Sequence, residues 1–462
     1  MADVEKQSEQ QPSAFMGGEE SSLASSASNR GADVPIETVN STVMPTEKND
    51  EEQNQPQQVQ SPSAPPNGGL FAWLQVLAGF LAFFNSWGIV NAFGAYQSYY
   101  ESDLLSHESP STISWIGSIQ GFFVVSATII TGRLLDAGYL RIVSVGGTVM
   151  LAFGMMMTSL GTEFYQIFLA QGVCVGIGSS CLFVSAVTTV APYFTTRRAL
   201  AIGIMASGSS LGGVLYPIMV RRLIPEVGFP WATRIIGFII FGTSFMSAIF
   251  LKSRLPPRKS GPFFDYPSFK DVPFMTYCLS CFLGFIGLYV PIFYIDSYAE
   301  YMDVDEAVRP YMVSILSAAS VFGRLVPNFF ADKTGPMNII TPFTLVVSIL
   351  CYVWIPVKGL GGIIVFALLY GFFSGAYVSI PPSCVASMTE DMTKLGSRLG
   401  MNFLASGLGI LIGTPVAGAL ITRMDGSFLG AQVFAGSVLI LAAVGMAVTR
   451  YMLSGPKLLH KC

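Results

Sequence analysis

The sequence predicts an all-α polytopic membrane protein with twelve transmembrane helices arranged as two six-helix bundles. Of its 462 residues, 52% are hydrophobic and only 11% are charged, whereas about a quarter of the residues in soluble domains are charged. Twelve apolar segments are long enough to cross the hydrocarbon core of a bilayer. The longest polar break after the first of them lies between the sixth and the seventh, which divides the segments six and six.

The first six predicted spans cover about residues 71–98, 111–134, 141–160, 164–191, 198–221 and 230–251. The second six cover about residues 273–298, 308–331, 338–356, 360–386, 398–421 and 428–450. These segments predict an N-terminal bundle at 67–251, a linker at 252–272, a C-terminal bundle at 273–450 and a short tail at 451–462.

The composition of the first tail and the distribution of charge predict how the chain lies in the membrane. Residues 1–66 hold eleven acidic and three basic residues and few large apolar ones, so we predict a disordered tail. Fifteen Lys and Arg residues flank the spans on the face shared by both tails, against six on the other face. Because positive charge is retained on the cytoplasmic side, we expect an integral protein of the plasma membrane with both termini cytoplasmic.

The two halves repeat weakly. Gly172 and Gly176 recur 199 residues later as Gly371 and Gly375, and an Ala-Ser-Gly triplet that ends at Gly208 recurs in the same register. Transporters built from related six-helix units show this kind of internal similarity. We therefore expect the fourth and fifth spans to be equivalent to the tenth and eleventh.

Arg324 lies well inside a predicted span. Arg324 is surrounded by apolar residues, and the next charge, Asp332, is about 12 Å further along a helix. A charge near the bilayer centre costs at least a few kcal/mol, so it normally faces a cavity or a partner. We predict that Arg324 binds an anionic substrate or an ionic partner. The alternative is a position near a helix end, from which the side chain reaches the headgroups.

A second pattern indicates a helix that moves. Arg197 and Arg198 precede a span that carries Gly208 and Gly212. Small residues let helix backbones approach closely, so this helix can slide or rock against a neighbour. The alternative is that the two arginines only set the orientation of the helix in the membrane and that the glycines serve ordinary helix packing.

Two loops on the face of the tails combine opposite charges. Arg133 lies near Asp136, and Asp332 precedes Lys333. We predict that these residues form ion pairs that hold one conformational state, each worth about 0–1 kcal/mol. Such pairs would bias a balanced equilibrium without locking it.

Several of these stretches resemble the monocarboxylate porter family of the major facilitator superfamily. They are residues 67–73, 132–138, 193–208 and 323–325, while residues 85–88 resemble its fungal branch in particular. The resemblance implies alternating access between two bundles, with Arg324 pairing with a substrate carboxylate. Animal members add a lysine on the first helix and an aspartate one turn before the arginine. This chain has Asn91 and Ser320 there, which disfavours proton–lactate cotransport.

Other side chains are candidates for the cavity wall. We predict substrate contacts from Asn91, Trp87, Tyr294, Gln171 and Tyr377. The alternative for each is a contact with a neighbouring helix. Asp296 is a candidate for proton coupling or for pairing with Arg324, and the alternative is a solvated outer end of the seventh span.

These features predict a secondary active transporter that moves a small organic acid or an amphipathic anionic metabolite, with export of a secondary metabolite favoured. Proton-coupled monocarboxylate uptake and a transporter-like nutrient sensor are the alternatives.

An enzyme is disfavoured because the chain has only two histidines and no phosphate-binding glycine loop. We expect no cofactor and no metal, with Cys278 and Cys281 as buried structural residues. The expected partners are the substrate, the lipid bilayer and, as a candidate coupling ion, the proton. No basic surface indicates nucleic acid.

Overall fold

The computed structural model describes residues 67–254, 266–305, 308–389 and 394–455. Within these ranges the regular structure is helical and no strand is present. The predictions of a disordered tail at 1–66, of most of the linker and of the final residues 456–462 lie outside the described residues.

The helices are labelled α1 to α12 by membrane crossing. Their bounds are α1 Leu70–Leu104, α2 Pro110–Asp136, α3 Leu140–Thr158, α4 Phe164–Tyr193, α5 and α6 within Arg198–Phe250, α7 Val272–Tyr301, α8 Met312–Thr334, α9 Pro336–Val353, α10 Gly359–Ser387, α11 Leu395–Arg423 and α12 Leu429–Ser454. Short π-helical or 3-10 turns lie within or end α1 and α4. The helix bounds agree closely with the predicted spans.

The stretch Arg198–Phe250 contains two crossings. A continuous helix of its 53 residues would be about 80 Å long, far more than a bilayer needs. Gly228 breaks it, with φ 76° and ψ 160°, a backbone conformation that glycine adopts without steric cost. Residues 198–227 therefore form α5 and residues 229–250 form α6. The described part of the chain thus has twelve apolar membrane crossings, which confirms the predicted fold class.

The helices alternate between two membrane faces. The start of α1 and the end of α12 lie at one face, which we call the terminal face, and the other is the opposite face. At the terminal face, the side-chain oxygen of Asn67 accepts hydrogen bonds from the backbone N–H groups of Thr195 and Thr196. The Tyr193 hydroxyl donates to the carbonyl of Lys252. These bonds tie the start of α1 to the α4–α5 turn and to the end of α6.

The first six helices meet the last six along a shared interface. Across it, α2 packs on α11, α5 packs on α8, and the outer part of α1 packs on α7. Within each half, α1 packs along α5 and α7 packs along α11. The chain therefore has the same internal pairing in both halves.

Glycines at equivalent positions allow this pairing. A Cβ on Gly172 would lie 3.2 Å from a backbone oxygen of α2, and one on Gly371 would lie 2.1 Å from a backbone oxygen of α8. Gly176 and Gly375 make the same close contacts one turn further along. The predicted correspondence of α4 with α10 therefore has a structural counterpart.

The predicted register between α5 and α11 is wrong by two residues. A Cβ on Gly208 or Gly212 would lie 2.2 or 2.4 Å from a backbone oxygen of α1. In the second half, the equivalent residues are Gly409 and Gly413. A Cβ on either would lie 2.4 or 2.0 Å from a backbone oxygen of α7. Gly407 faces α2 instead. Small residues are so frequent in α11 that matching residue types cannot identify which one contacts the neighbouring backbone.

The contact between α8 and α10 provides a test of the packing. A Cβ on Gly323 would lie 1.9 Å from the carbonyl oxygen of Phe372, so Gly323→Ala must push the two backbones apart. We expect a lower midpoint of thermal unfolding in detergent, corresponding to about 1–3 kcal/mol. Gly361→Ala is the matched control, because a Cβ there has nothing within 4 Å. Equal midpoints for the two variants would contradict this packing.

Candidate functional site

Arg324 points to the interface between the two halves. It is only 4% exposed, whereas Phe322 and Val326, two positions away on either side, are 62% and 44% exposed. Successive helical residues are about 100° apart, so these neighbours lie on the other side of α8. The lipid-facing side of α8 is thus apolar, and the arginine faces inward.

The guanidinium of Arg324 crosses to α5. Its Nη1 donates a 2.7 Å hydrogen bond to the carbonyl of Ala206 and a second bond to the hydroxyl of Ser209. Its Nε donates to Ser320 Oγ at 3.3 Å. No carboxylate pairs with Arg324 in the described ranges, so neutral oxygens are its hydrogen-bond acceptors there.

The second terminal nitrogen of Arg324 remains available. Its Nη2 makes no hydrogen bond to any described residue. Arg324 lines a narrow cavity between the halves together with Asn91, Tyr289, Ile292, Leu316, Ser317, Ser320, Ser374 and Val378. This cavity is suited to a small anionic group, because Nη2 can donate N–H hydrogen bonds to such a group.

Asn91 and Ser320, the two positions that differ from the animal members of the family that the sequence resembles, lie in this cluster. Asn91 donates from Nδ2 to the carbonyl of Ser209 at 3.3 Å. Ser320 Oγ lies 3.2 Å from Ser210 Oγ and also accepts from Arg324. Both side chains are neutral, so the cluster has no charge to balance that of Arg324.

Trp87 lines a second, larger cavity on the terminal side of this cluster. We call it the aromatic cavity; its wall consists of Phe83, Trp87, Val125, Phe183, Val187, Ile202, Ala206, Phe285, Val378, Ser379, Pro381, Pro382, Asn402, Phe403 and Ser406. The Trp87 ring stacks on that of Tyr289 with centroids 6.1 Å apart and planes 17° apart. Because Tyr289 lines the narrow cavity and Trp87 the aromatic one, the stacked pair lies between the two.

The other three predicted substrate contacts lie outside both cavities. The Tyr294 hydroxyl donates to the carbonyl of Thr414 at 3.2 Å. The Gln171 side-chain oxygen accepts from the Tyr100 hydroxyl at 2.6 Å, between α1 and α4. Tyr377 packs its ring edge-on against Phe285 at 5.4 Å, behind the wall of the aromatic cavity. The structure thus brings Arg324, Asn91 and Trp87 near one another but not these three.

Asp296 is neither solvated nor paired with Arg324. It is 2% exposed and forms an ion pair across the interface with Arg221 of α5, which is 18% exposed. Arg221 lies at the end of a predicted span, where a charged side chain is expected to face the solvent of the adjoining loop. Its guanidinium instead turns inward toward the Asp296 carboxylate. Among the described acidic residues, Asp296 is the only one in the buried class.

Further polar contacts join the halves at the opposite face. Ser111 of α2 donates to the carbonyl of Pro415 in α11 at 3.1 Å. Arg222 donates to the Tyr311 hydroxyl at 2.7 Å. With the Arg221–Asp296 pair, these contacts close the interface at this face.

Asp332 joins the halves at the terminal face. Its carboxylate accepts hydrogen bonds of 3.1 Å from the backbone N–H groups of Ala199 and Leu200 in the first turn of α5. A carboxylate is favourable there because the first N–H groups of a helix have no internal partner and carry partial positive charge. Lys333 lies over the ring of Phe329, with its ammonium 4.4 Å from the centroid. Asp332 therefore caps a helix of the other half.

The remaining predicted gating residues occupy three different settings. Arg133 and Asp136 line a cavity between α2, α4 and α11 at the terminal face. Arg197 is exposed, whereas Arg198 donates from Nε to the carbonyl of Ala191 at 3.3 Å. Gly208 and Gly212 pack on α1 inside the first half, as described above. The glycines of α5 that approach α8 across the interface are Gly203 and Gly213.

Ser209 and the carbonyl of Ala206 are site groups that the sequence reasoning missed. A serine or a backbone carbonyl in a Gly-rich apolar helix has no distinguishing sequence signal. The spacing of Ser209 and Gly213 four residues apart does place them on one face of α5. It does not show that this face meets α8.

A bundle of twelve spans with a buried cation at the interface between similar halves defines a helical membrane transporter. The profile described as Major Facilitator Superfamily matches residues 76–389. The chain belongs to this family.

Curated fungal proteins are similar over most of their length. The chain is 45% identical over 378 residues to the MFS-type transporter dbaD of Emericella nidulans, which covers 81% of this chain and 85% of the relative. It is 37% identical over 392 residues to the aspyridones efflux protein apdF of the same species, and this alignment covers 84% of this chain and 80% of the relative. It is 36% identical over 380 residues to the agnestins efflux protein AgnL12 of Paecilomyces divaricatus, covering 82% and 87%.

A solved structure shows the same fold. The human organic anion transporter MFSD10 superposes with a TM-score of 0.59 at 16% identity, covering 81% of this chain and 98% of that one. A second structure, the Escherichia coli fucose:proton symporter FucP, superposes with a TM-score of 0.58 at 16% identity. This superposition covers 82% of this chain and 98% of the symporter. At these identities the likeness shows the fold alone.

The Arg221–Asp296 pair provides a test of the closure at the opposite face. Asp296→Asn leaves the partly buried Arg221 charge without its partner, which we expect to cost about 3 kcal/mol and to lower the midpoint of thermal unfolding. Arg221→Gln in the same chain removes the orphaned charge and should restore part of the loss. Asp303→Asn, at an exposed turn with φ 52° that suits asparagine, is the control. Strictly additive effects of the Arg221 and Asp296 substitutions would contradict the pairing.

Proposed function

We propose that this protein is a secondary active transporter of the plasma membrane that exports an amphipathic organic acid by alternating access. Arg324 carries the proposal. It is a buried positive charge at the interface of the halves, it has no carboxylate partner among the described residues, and its Nη2 is available at a cavity.

The electrostatics of Arg324 support an anionic substrate. A carboxylate about 4 Å from the guanidinium would gain about 4 kcal/mol of attraction at an effective dielectric constant of about 20. The carbonyl of Ala206 and the hydroxyl of Ser209 carry no net charge, so a substrate anion would compete with them for Nη1. Because these acceptors belong to α5 and Arg324 belongs to α8, this competition would loosen a contact between the halves. Substrate binding would thereby be linked to their relative motion.

The contacts at the two faces support alternating access. The Arg221–Asp296 pair holds the opposite face closed, and Asp332 joins α8 to α5 at the terminal face. Each set lies between the halves, so each must separate for its own face to open. A carrier that opens one face at a time needs two such sets of contacts, each weak enough to break.

Two observations support export. Relatives that match most of this chain are named efflux proteins of aspyridones and of agnestins. The Lys and Arg count favours a cytoplasmic terminal face, and the aromatic cavity lies on the side of Arg324 that is nearer to this face. A substrate made in the cell would therefore meet this cavity first. The neutral Asn91 and Ser320 disfavour the alternative of proton-coupled monocarboxylate uptake, and no structural observation favours a nutrient sensor.

The proposal predicts that Arg324→Ala abolishes export of the acidic metabolite, because the anion loses its only buried cationic partner in the described chain. Untargeted mass spectrometry should compare culture medium and cell extract for producing cells with each variant. We expect the metabolite to accumulate inside cells that carry Arg324→Ala and outside cells that carry the unsubstituted protein. The change in distribution should be at least tenfold.

Arg423→Ala is the matched control, because Arg423 is an exposed arginine at the end of α11. It should leave the distribution unchanged. Surface abundance of every variant must be measured, so that loss of export is separated from loss of folding. Unchanged export by Arg324→Ala at normal surface abundance would remove Arg324 from the substrate site.

We expect any response of export to a pH gradient to depend on Asp296. Its pair with Arg221 lies between the halves, so loss of its negative charge would break this contact and release the opposite face. Nearby charges are Glu300, paired with Arg309 at 3.2 Å, and Glu101, which accepts from Gln97 at 2.8 Å.

Export should be measured with the exterior at pH 5.5 and at pH 7.5. We expect an acidic exterior to stimulate the unsubstituted protein and not Asp296→Asn, with Asp303→Asn as the control for stimulation. Equal stimulation of the protein and of Asp296→Asn would exclude Asp296 as the coupling group.

A further inference from the structure

The aromatic cavity has a wall that differs from the surroundings of Arg324. Five aromatic rings line it, and they come from both halves: Phe83, Trp87, Phe183, Phe285 and Phe403. Among the described residues, no charged side chain contributes to this wall. The rings of Phe183 and Phe403 meet edge to face across the interface at 5.4 Å. Such a surface favours flat apolar rings, which gain both burial and ring contacts.

Three polar side chains interrupt the apolar wall. The Ser379 hydroxyl donates to the carbonyl of Gly375 and accepts from Asn328, and the Ser406 hydroxyl donates to the carbonyl of Asn402. Both serines have therefore committed their hydrogens within the protein.

The third polar side chain, Asn402, is not satisfied. It is 0% exposed, and its side-chain oxygen has no hydrogen-bond partner among the described residues. Its amide nitrogen has weak contacts with two thiols, Cys278 Sγ at 3.8 Å and that of Cys281. A buried polar atom without a partner costs about 1–3 kcal/mol, and buried groups of this kind normally have one. Asn402 is the only described residue of this wall with such an atom, so its amide oxygen is the candidate contact for a hydrogen-bond donor on a ligand.

A hydroxyl group on the ligand fits this amide in either orientation. Hydroxyls both donate and accept hydrogen bonds, whereas an ether oxygen only accepts. A carboxylate fits less well, because the faces of the surrounding rings carry partial negative charge and do not compensate for its lost hydration. The wall therefore favours a hydrogen-bonding substituent other than a carboxylate on an apolar ring system.

We propose that the aromatic cavity binds the body of the substrate, and that this body is an aromatic ring system with a phenolic or enolic hydroxyl directed at Asn402. The inference rests on the proposed function, since it names the substrate class of that carrier. It assigns the two ends of the substrate to different places: the rings lie in the aromatic cavity, and the acidic group lies beyond the Trp87–Tyr289 stack at Arg324.

The proposal can be tested by binding, without knowledge of the natural substrate. The full chain in lipid nanodiscs would be titrated with tritiated 2-naphthol, and binding to empty nanodiscs would be subtracted. 2-Methoxynaphthalene, which cannot donate a hydrogen bond, would compete as the second probe. We expect 2-naphthol to bind at least fivefold more tightly than 2-methoxynaphthalene.

Two variants locate this binding. Asn402→Leu should reduce the preference for 2-naphthol to less than twofold. Phe183→Leu should weaken both probes about tenfold or more, and it keeps the proposal testable if Asn402→Leu does not fold. Phe322→Leu, which replaces a lipid-facing ring that is 62% exposed, should leave both affinities unchanged.

Three results would overturn the assignment. They are the absence of saturable 2-naphthol binding up to its solubility limit, equal binding by Phe183→Leu and Phe322→Leu, and a hydroxyl preference retained in folded Asn402→Leu. Export by Arg324→Ala tests the proposed function separately. A carrier that loses export in Arg324→Ala but binds no naphthol would keep its proposed function and lose this inference. If Arg324→Ala keeps export and the protein binds 2-naphthol as expected, Arg324 is removed from the substrate site and the assignment of the aromatic cavity stands.

Discussion

The hydrogen bonds from Arg324 to α5 are the contact on which the interface between the halves depends. A guanidinium inside a bilayer loses its hydration, and that loss must be offset by protein oxygens. The oxygens that do so on α5 are the carbonyl of Ala206 and the hydroxyl of Ser209. Because the charge belongs to one half and these acceptors to the other, the solvation of one residue holds two bundles together. Anything that offers Arg324 a better acceptor changes that balance.

This contact is possible only because the helix backbones are unusually close. A Cβ on Gly203 would lie 2.6 Å from the carbonyl oxygen of Arg324, and one on Gly213 would lie 2.7 Å from the hydroxyl of Ser317. Larger side chains at these two positions of α5 would hold α8 away and take Ala206 out of reach of the guanidinium. Close packing in a membrane depends on small residues, because lipid tails remove the hydrophobic drive for helices to associate. The glycines and the arginine therefore act together.

The interface contains two cavities of different chemistry. Of the narrow and the aromatic cavity, the narrow one carries the charge, and Arg324 is accompanied there by amide and hydroxyl groups. Shape and ring contacts are confined to the aromatic cavity, where the described wall carries no charge. The stacked rings of Trp87 and Tyr289 lie between them, and each ring belongs to a different half. Motion of the halves would move these rings relative to one another, so the boundary between the two cavities changes with the conformational state.

The sequence by itself determined the class of fold, the number of crossings and the inward position of Arg324, because apolar length and the cost of a charge in lipid are local properties. Tertiary structure decided the rest. It paired Asp296 with Arg221, set Asp332 against the start of α5, turned Gly208 toward α1, and left Tyr294 and Gln171 outside the cavities. It also brought Ser209 to the guanidinium of Arg324. Each of these results depends on which helix lies beside which and at what rotation, and many Gly-rich apolar helices satisfy the same sequence pattern at several rotations.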